Sequence, residues 1–274
     1  FDGLGLANNH VLDYGPEGVA DTLSVLMDKR IGVFGYSTGR GYNVGEFEKD
    51  GIRIAVLAFV KPGRWSKEKF GFGPDSYDPV SIVEEIEKYS EVVDHVIVFP
   101  HWGTELVEIP NEADTRNAKR FIDAGASAVI GHHPHISQGI ETYRHGVIAY
   151  SLGSFIYIPE DEVGYSKKNK NRDISICLTI DFGKDRIRGY KAHYYKYDSI
   201  TKIPVVQPDE SIKEYAGFLN SHIYDLQLFN KQIRETLVKR EVRSFLYRFR
   251  KKPVKTLYHY MGQLRLKKFK KLFF

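Results

Sequence analysis

Short apolar runs alternate with segments of helical period over the first two thirds of the chain. The apolar runs predict buried strands at 52–59, 96–99, 128–130 and 147–151. Apolar residues at helical spacing predict helices at 15–30, 78–89 and 111–124. Short strands that alternate with helices are typical of a layered α/β fold, which is the fold class we expect.

The pattern changes near residue 173. Residues 174–182 and 188–197 alternate apolar and polar positions, which predicts antiparallel strands that complete the domain. Cys177 is the single cysteine of the chain and falls within the first of these runs. One thiol cannot form an intramolecular disulfide, so we expect Cys177 to be an ordinary buried strand residue.

The C-terminal part is helical in pattern and increasingly basic. Residues 231–274 contain 15 Lys and Arg against two acids, so the rest of the chain carries a net charge of −8 although the whole is at +5. We divide the chain into a domain at 1–208 and a basic helical C-terminal extension at 209–274. Segments 243–252 and 263–274 interleave Phe, Leu and Tyr with Lys and Arg, which suits either association with an anionic membrane surface or packing on the domain or a partner subunit.

Composition narrows the class of protein further. The chain is 42% hydrophobic and 27% charged, as in ordinary soluble domains, and no run approaches the roughly 18 apolar residues that a spanning helix needs. Nucleic acid is not an expected ligand, because the domain is net acidic and shows no nucleic-acid-binding module.

The chain starts at Phe1 within an apparent strand, so we expect further residues upstream. An anchor there would place the protein at the membrane or cell envelope, and without one it would be cytoplasmic.

Chemistry-bearing residues follow three predicted strands at the point where each strand ends. They are Asn9, His10, His101, His133 and His135. Ligands of α/β proteins bind at the carboxyl ends of strands, and neutral imidazoles and amide oxygens are metal ligands. A single histidine at a strand end is more often a satisfied surface or core group. The joint occurrence at three strand ends favours a metal site.

The spacing of His133, Pro134 and His135 adds to this interpretation. Side chains two apart in an extended segment point to the same side, so both rings can reach one ion or two adjacent ions. Pro134 disfavours a helix at His133, and Gly131 permits a tight exit from the preceding strand. By the same alternation, His132 is expected to point away from His133.

Four motifs occur in an order and spacing that resemble one protein family. They are Leu6-Ala-Asn-Asn-His-Val-Leu-Asp-Tyr-Gly15, His101-Trp-Gly-Thr-Glu105, Gly131-His-His-Pro-His135 and Tyr150-Ser-Leu-Gly-Ser-Phe-Ile156. They resemble the poly-γ-glutamate capsule biosynthesis protein family (CapA/PgsA-like), which is similar to a branch of the calcineurin-like metallophosphoesterase superfamily. The resemblance covers residues 1–159 and implies a β-sandwich flanked by helices, with a two-metal site at one end.

The resemblance implies a role for each matching position. Asn9 matches a metal-bridging asparagine, and His101, His133 and His135 match metal-binding histidines. The implied cofactors are divalent ions, Mn, Zn or Fe, with two expected in the complete protein.

Three further residues are expected to act on substrate. His10 matches a catalytic histidine that helps to protonate the leaving group or stabilise charge. Asn8 and Glu105 are assigned to substrate binding. The expected substrate is an anionic polymer or a phosphoester.

The chain departs from the family pattern in two respects. The acidic metal ligands of the superfamily come from strands upstream of Phe1, so two cations would lie close together here with little negative charge between them, and a binuclear centre should form poorly. Ser154 replaces the usual asparagine, for which we expect only a local effect.

Two functions remain open from the sequence. One is a metal-dependent hydrolase of phosphoesterase type that acts in the biosynthesis of capsule, poly-γ-glutamate or a related anionic surface polymer. The other is a scaffold or binding component of a polymer synthesis or export assembly, without catalytic activity. The sequence leaves the oligomeric state open.

Overall fold

The computed structural model describes residues 1–39, 41–61, 71–156, 171, 173–198, 201 and 203–251. Its strands, in chain order, are β1 (Gly3–Gly5), β2 (Gly32–Phe34), β3 (Tyr36–Thr38), β4 (Gly45–Lys49), β5 (Ile52–Val60), β6 (Phe72–Pro74), β7 (His95–His101), β8 (Ala128–Ile130), β9 (Ile140–Tyr143), β10 (Gly146–Ala149), β11 (Ile174–Phe182), β12 (Ile187–Tyr197) and β13 (Pro204–Val206). Its helices are α1 (Gly15–Asp28), α2 (Pro79–Ser90), α3 (Glu112–Asp123), α4 (Asp209–Ser221) and α5 (Leu226–Lys251).

A six-stranded sheet forms the centre of the fold, in the order β4-β5-β7-β8-β10-β9. Its inner strands β5, β7, β8 and β10 pair in parallel, and β4 and β9 pair antiparallel at the two edges. Strands β5, β7 and β8 were predicted as buried apolar runs, which is the pattern of strands covered on both faces. Because parallel neighbours end at the same edge, the residues that follow β5, β7 and β8 lie together.

Helices α2 and α3 cover one face of this sheet. Their side chains Ile82, Ile86 and Phe121 pack with Phe59 and Trp102 in one buried cluster. The apolar residues whose spacing predicted these two helices therefore form the stripe that faces the sheet.

Both helices begin at a side-chain cap. The Asp78 carboxylate accepts a hydrogen bond from the Val80 backbone N–H, with Pro79 in the first turn, and the Asn111 side chain accepts one from the Asp114 backbone N–H. Such caps satisfy amides that have no partner within the helix. The predicted start of each helix is confirmed within one residue.

The sheet β11-β12-β13 covers the opposite face of the central sheet. Its residues Ile174, Ile176 and Tyr194 pack against Ile130 and Val147. Two sheets whose inner side chains pack together form a sandwich. The predicted α/β fold, a layered β-sandwich flanked by helices, is confirmed.

The prediction that Cys177 is buried is wrong. Alternation along β11 directs Ile174, Ile176 and Leu178 into the sandwich and leaves the Cys177 side chain exposed on the other face. In a strand with one solvated face, the position of a cysteine in the alternation decides whether its side chain is buried.

The two C-terminal helices pack on the domain. Leu219 of α4 and Ile223 just beyond it are buried. Gln232 of α5 exchanges two hydrogen bonds with Glu108, in the loop after β7: the Glu108 backbone N–H donates to Gln232 Oε1 at 2.9 Å, and Gln232 Nε2 donates to Glu108 Oε2 at 3.1 Å. The helical character predicted from Asp209 onward is confirmed as far as Lys251.

The other expectations for the C-terminal part stay predictions. Residues 252–274 lie outside the described residues, so the basic extension and its association with a membrane surface are untested, as is the division between 1–208 and 209–274. Within the described part of the chain, no helix combines the length and the apolar character that crossing a membrane requires.

Gly131 occupies the tightest packing position beside the ends of the strands. A Cβ atom there would lie 2.0 Å from the Tyr150 carbonyl oxygen and 2.5 Å from Trp102 Nε1. Trp102 Nε1–H donates to that same oxygen at 3.1 Å. Gly131 has no positive φ, so the position needs glycine for space and not for the tight turn that the sequence suggested.

We predict that Gly131→Ala lowers the free energy of unfolding by about 3 kcal/mol, because backbone and an indole ring cannot both move aside. Denaturant unfolding of the purified protein measures this. Gly217→Ala is the matched control, since Gly217 lies in α4 with no atom within 4 Å of an added Cβ, and it should be neutral or stabilising by up to about 1 kcal/mol. Equal stability of the two variants would contradict the packing argument.

Candidate functional site

The carboxyl ends of β5, β7 and β8 meet at one edge of the main sheet. Val60 pairs with His101 in the β5–β7 ladder, and His101 forms a further bridge to His132. The Trp102 backbone N–H donates to the His132 carbonyl at 3.0 Å. The segments after β7 and β8 thus stay paired beyond their strands, which brings His101 beside the loop 132–135.

The three histidines predicted to bind metal come together at this edge. The ring centroid of His133 lies 4.7 Å from that of His101 and 6.0 Å from that of His135. The reason given from the sequence was wrong, because the loop is not extended: φ is 101° at His133 and 57° at His135.

These positive φ angles are a local strain. Residues other than glycine rarely adopt them, and such conformations cost on the order of 1–3 kcal/mol each and persist where neighbouring structure enforces them. The Pro134 carbonyl accepts a hydrogen bond from the Leu106 backbone N–H at 2.8 Å, and Gly103 packs against the Pro134 ring. The loop after β7 therefore fixes the strained pair, and strain of this kind is typical of functional sites.

Asn9 approaches the histidines from the N-terminal strand. β1 pairs in parallel with β2, and the turn that follows places Asn9 Oδ1 2.8 Å from His101 Nε2. The side chain predicted to bridge metals and one predicted metal histidine are therefore direct neighbours, although they are 92 positions apart in the sequence.

His10 forms an exposed pair with Asp13. His10 Nδ1 lies 2.7 Å from Asp13 Oδ2, and the His10 backbone N–H donates to Asn8 Oδ1 at 2.9 Å. A carboxylate only accepts hydrogen bonds, so it selects the tautomer with the proton on Nδ1, and Nε2 takes no part in this pair. Asn8, assigned to substrate binding from the sequence, here shapes the turn. Asp13 was missed as a site residue, although it stands three positions after His10 in the quoted motif.

Two more side chains act on the histidine group. Ser154 Oγ lies 3.1 Å from His135 Nδ1, so the residue expected to have only a local effect contacts one of the predicted ligands. Glu105 acts on His133 through its charge, and it raises the pKa of that imidazole against the effect of burial. Substrate contact by Glu105 stays a prediction.

Burial favours the neutral imidazole at His101, at His133 and at the adjacent His132. Burial lowers the pKa of His101 to about 3, and the neighbouring His133 lowers it further. Burial likewise lowers the pKa of His133, and it lowers the pKa of His132 to about 4 against a hydrogen bond to the Pro100 carbonyl. Neutral imidazole is the form that binds metal ions.

His132 stands apart from this group. Its ring lies against Phe99, with ring centroids 4.9 Å apart. It packs on an apolar side chain of β7, as a structural residue does. The sequence interpretation also kept His132 out of the ligand set.

A lysine and a buried aspartate complete the edge, and the sequence interpretation missed both. Lys61 directly follows β5, and its Nζ lies 2.6 Å from Asp114 Oδ1, whose side chain is only 1% exposed. Burial raises the pKa of Asp114, while Lys61 opposes that shift. The sequence did contain a signal for Lys61, because this residue comes directly after strand β5, just as His101 ends the neighbouring strand β7.

The motifs and their geometry agree with a match to a known family. The family model described as "Bacterial capsule synthesis protein PGA_cap" matches residues 1–158, more than half of the chain. The chain belongs to this capsule synthesis family. The resemblance to poly-γ-glutamate capsule proteins is thereby confirmed.

Relatives of this PGA_cap chain carry corresponding names. The PGA biosynthesis protein CapA of Bacillus subtilis is 34% identical over 166 residues, which is 57% of this chain and 43% of that protein. The capsule biosynthesis protein CapA of Bacillus anthracis is 34% identical over 169 residues, 57% of this chain and 40% of that protein. The chain thus spans about two fifths of the length of these relatives.

A solved structure of lower similarity also superimposes on the PGA_cap chain. It is a 5'-nucleotidase from Candida albicans, at 14% identity and a TM-score of 0.43, covering 89% of this chain and 43% of that one. At that score the likeness carries no functional argument.

The donor atoms of the PGA_cap chain fit part of a metal site. His133 Nδ1 is buried and has no hydrogen-bond partner among the described residues, and a buried lone pair without a partner is costly unless a cation satisfies it. Asn9 Oδ1 and His101 Nε2 lie beside each other. However, the described residues contain no group of three or more His, Cys, Asp or Glu side chains arranged to hold a metal ion. The histidines therefore meet at one edge of the sheet without forming a three-membered group of this kind in the described part of the chain.

We predict that stability falls between pH 7 and pH 5 and that His101 contributes to the fall. Its pKa is about 3 in the folded protein against an ordinary 6.5, so the unfolded chain binds a proton in this window that the folded protein does not. Lower pH therefore favours unfolding. In denaturant titrations at both pH values, His101→Asn should lose less stability than the parent protein.

The exposed His145, in the turn between β9 and β10, gives the control. His145→Asn should keep the parent dependence on pH. An unchanged pH dependence in His101→Asn would refute the assignment.

Proposed function

We propose that this chain is the histidine-bearing part of a metal-dependent hydrolase of phosphoesterase type, which acts in the biosynthesis of capsule, poly-γ-glutamate or a related anionic surface polymer. The observation that carries the proposal is His133 Nδ1, a buried ring nitrogen without a hydrogen-bond partner in the described part of the chain, in a ring that lies beside those of His101 and His135. The names of the relatives from two Bacillus species support the biosynthetic context.

The proposed ligands are Asn9, His101, His133 and His135, which come from three separate strand ends. Bound Mn, Zn or Fe ions would supply Lewis-acid activation of water and neutralisation of developing charge. The side chains supply position: the strained loop orients His133 and His135, and Ser154 fixes the ring of His135 through Nδ1. Outer hydrogen bonds of this kind orient metal-binding histidines in general.

His10 is proposed to move the proton at the leaving oxygen. Asp13 accepts from Nδ1 and fixes the orientation of the ring, so Nε2 is the atom that can exchange a proton with the substrate. The pair is exposed, which suits a polymer that must reach the site from solvent. An amide of a γ-glutamyl chain is open to the same chemistry as a phosphoester.

The second candidate is a scaffold or binding component without catalytic activity. The observation that favours it is the lack of a three-membered His, Cys, Asp and Glu group within the described residues. A scaffold of this family would keep the fold and the histidine edge, and would bind the polymer without cleaving it.

We predict that the full-length protein, with any residues that precede Phe1, purifies with one or two equivalents of Mn, Zn or Fe. The double variant His133→Ala/His135→Ala should lose this metal, because it removes two of the four donors. Elemental mass spectrometry of the purified proteins measures it. The exposed His145→Ala variant should retain the parent content. A folded, metal-free parent protein would refute the metal proposal.

We predict that His10→Asn lowers kcat for a phosphoester or γ-glutamyl substrate by about 10²- to 10⁴-fold, the range for a lost general acid, with metal content unchanged. Asp13→Asn should lower kcat less, since it leaves the imidazole in place. Steady-state kinetics on the metal-loaded protein measures both. Metal-loaded protein that binds polymer and turns over no substrate would favour the scaffold.

A further inference from the structure

Lys61 occupies the edge of the sheet that the histidines share. It is the first residue after β5, and its backbone N–H donates to the His101 carbonyl at 3.3 Å. A lysine so placed lies within the electrostatic reach of any group bound at the histidines.

Asp114 holds the Lys61 ammonium in a defined place. Its carboxylate accepts from Lys61 Nζ at 2.6 Å, from the Asn111 side chain and from the Gly103 backbone N–H. Gly103 in turn packs against Pro134 of the histidine loop. The anchor is therefore tied to the same loop that orients His133.

The Lys61 side chain remains 39% exposed although its anchor is buried. An ammonium has three donors, and the contact with Asp114 Oδ1 uses one of them. Because the buried carboxylate already holds the ammonium in place, less side-chain entropy is lost when the ammonium binds an anion.

The partly exposed ammonium of Lys61 belongs to the edge of the sheet that the histidines share. Substrates that carry phosphate or carboxylate groups need a compensating cation where they bind.

We propose that Lys61 binds an oxyanion of the substrate, a phosphate or a carboxylate, next to the histidine site, and that Asp114 is the residue that positions it. This inference rests on the proposed function, because it assigns the binding of the acidic group to that same site. Lysine binds such groups as a point charge, which suits a substrate with repeated acidic groups.

The test compares two variants of the full-length protein, both of which carry a neutral asparagine in place of the buried Asp114. Asp114→Asn keeps Lys61, and Lys61→Gln/Asp114→Asn removes it without leaving a buried carboxylate unpaired. Isothermal titration calorimetry measures the Kd for inorganic phosphate and, separately, for a γ-linked triglutamate. For at least one ligand, the double variant should bind about tenfold more weakly than Asp114→Asn, with a shallower dependence on salt.

Lys88→Ala provides the control, because Lys88 forms an exposed pair with Glu85 away from the site and should bind as the parent does. Equal affinity of the double variant and Asp114→Asn for both ligands would overturn the proposal, and so would a parent protein that binds neither. Phosphate alone showing the effect would identify a phosphate-bearing substrate, and triglutamate alone a carboxylate-bearing one.

Metal content, measured on the same samples, separates the two proposals. Parent metal content with no effect of Lys61 on affinity would refute the anion site only. Metal-free protein with Lys61-dependent binding would refute the hydrolase and leave the anion site standing.

Discussion

The parallel pairing of β5, β7 and β8 is the constraint on which the site depends. Its register sets Val60 beside His101, and the bridge from His101 to His132 carries the pairing past the ends of the strands. A shift by one residue would turn His101 to the opposite face of the sheet. These strands are buried on both faces, so the burial that stabilises the domain also holds the strand ends that carry the chemistry.

Tight packing around Gly131 holds the aligned strand ends in place. The Tyr150 carbonyl and the Trp102 indole leave no room for a side chain there, and the chain then enters the strained loop at His133 and His135. Strain on the order of a few kcal/mol is tolerable only where the surroundings hold firmly. The packing that stabilises the core therefore also orients the imidazoles.

Sequence reasoning found the layered fold and the histidine edge because periodicity and position after a strand are local signals. It did not find the Lys61–Asp114 pair, since a contact between residues 53 apart depends on how a helix packs on a sheet. It also explained the His133 and His135 geometry wrongly, because positive φ angles arise from the neighbouring loop. Cys177 shows the same limit: the alternation was recognised, but which face was solvated depended on the partner layer.

The reciprocal hydrogen bonds between Glu108 and Gln232 join positions 124 residues apart. During synthesis on a ribosome, the loop after β7 therefore emerges long before the helix that ties it down. Contacts of such separation are slow to form, and the loop that supports the histidines waits for them. All strands of the central sheet have been translated by Ala149, whereas the contact between Glu108 and α5 can form only once Gln232 has been translated.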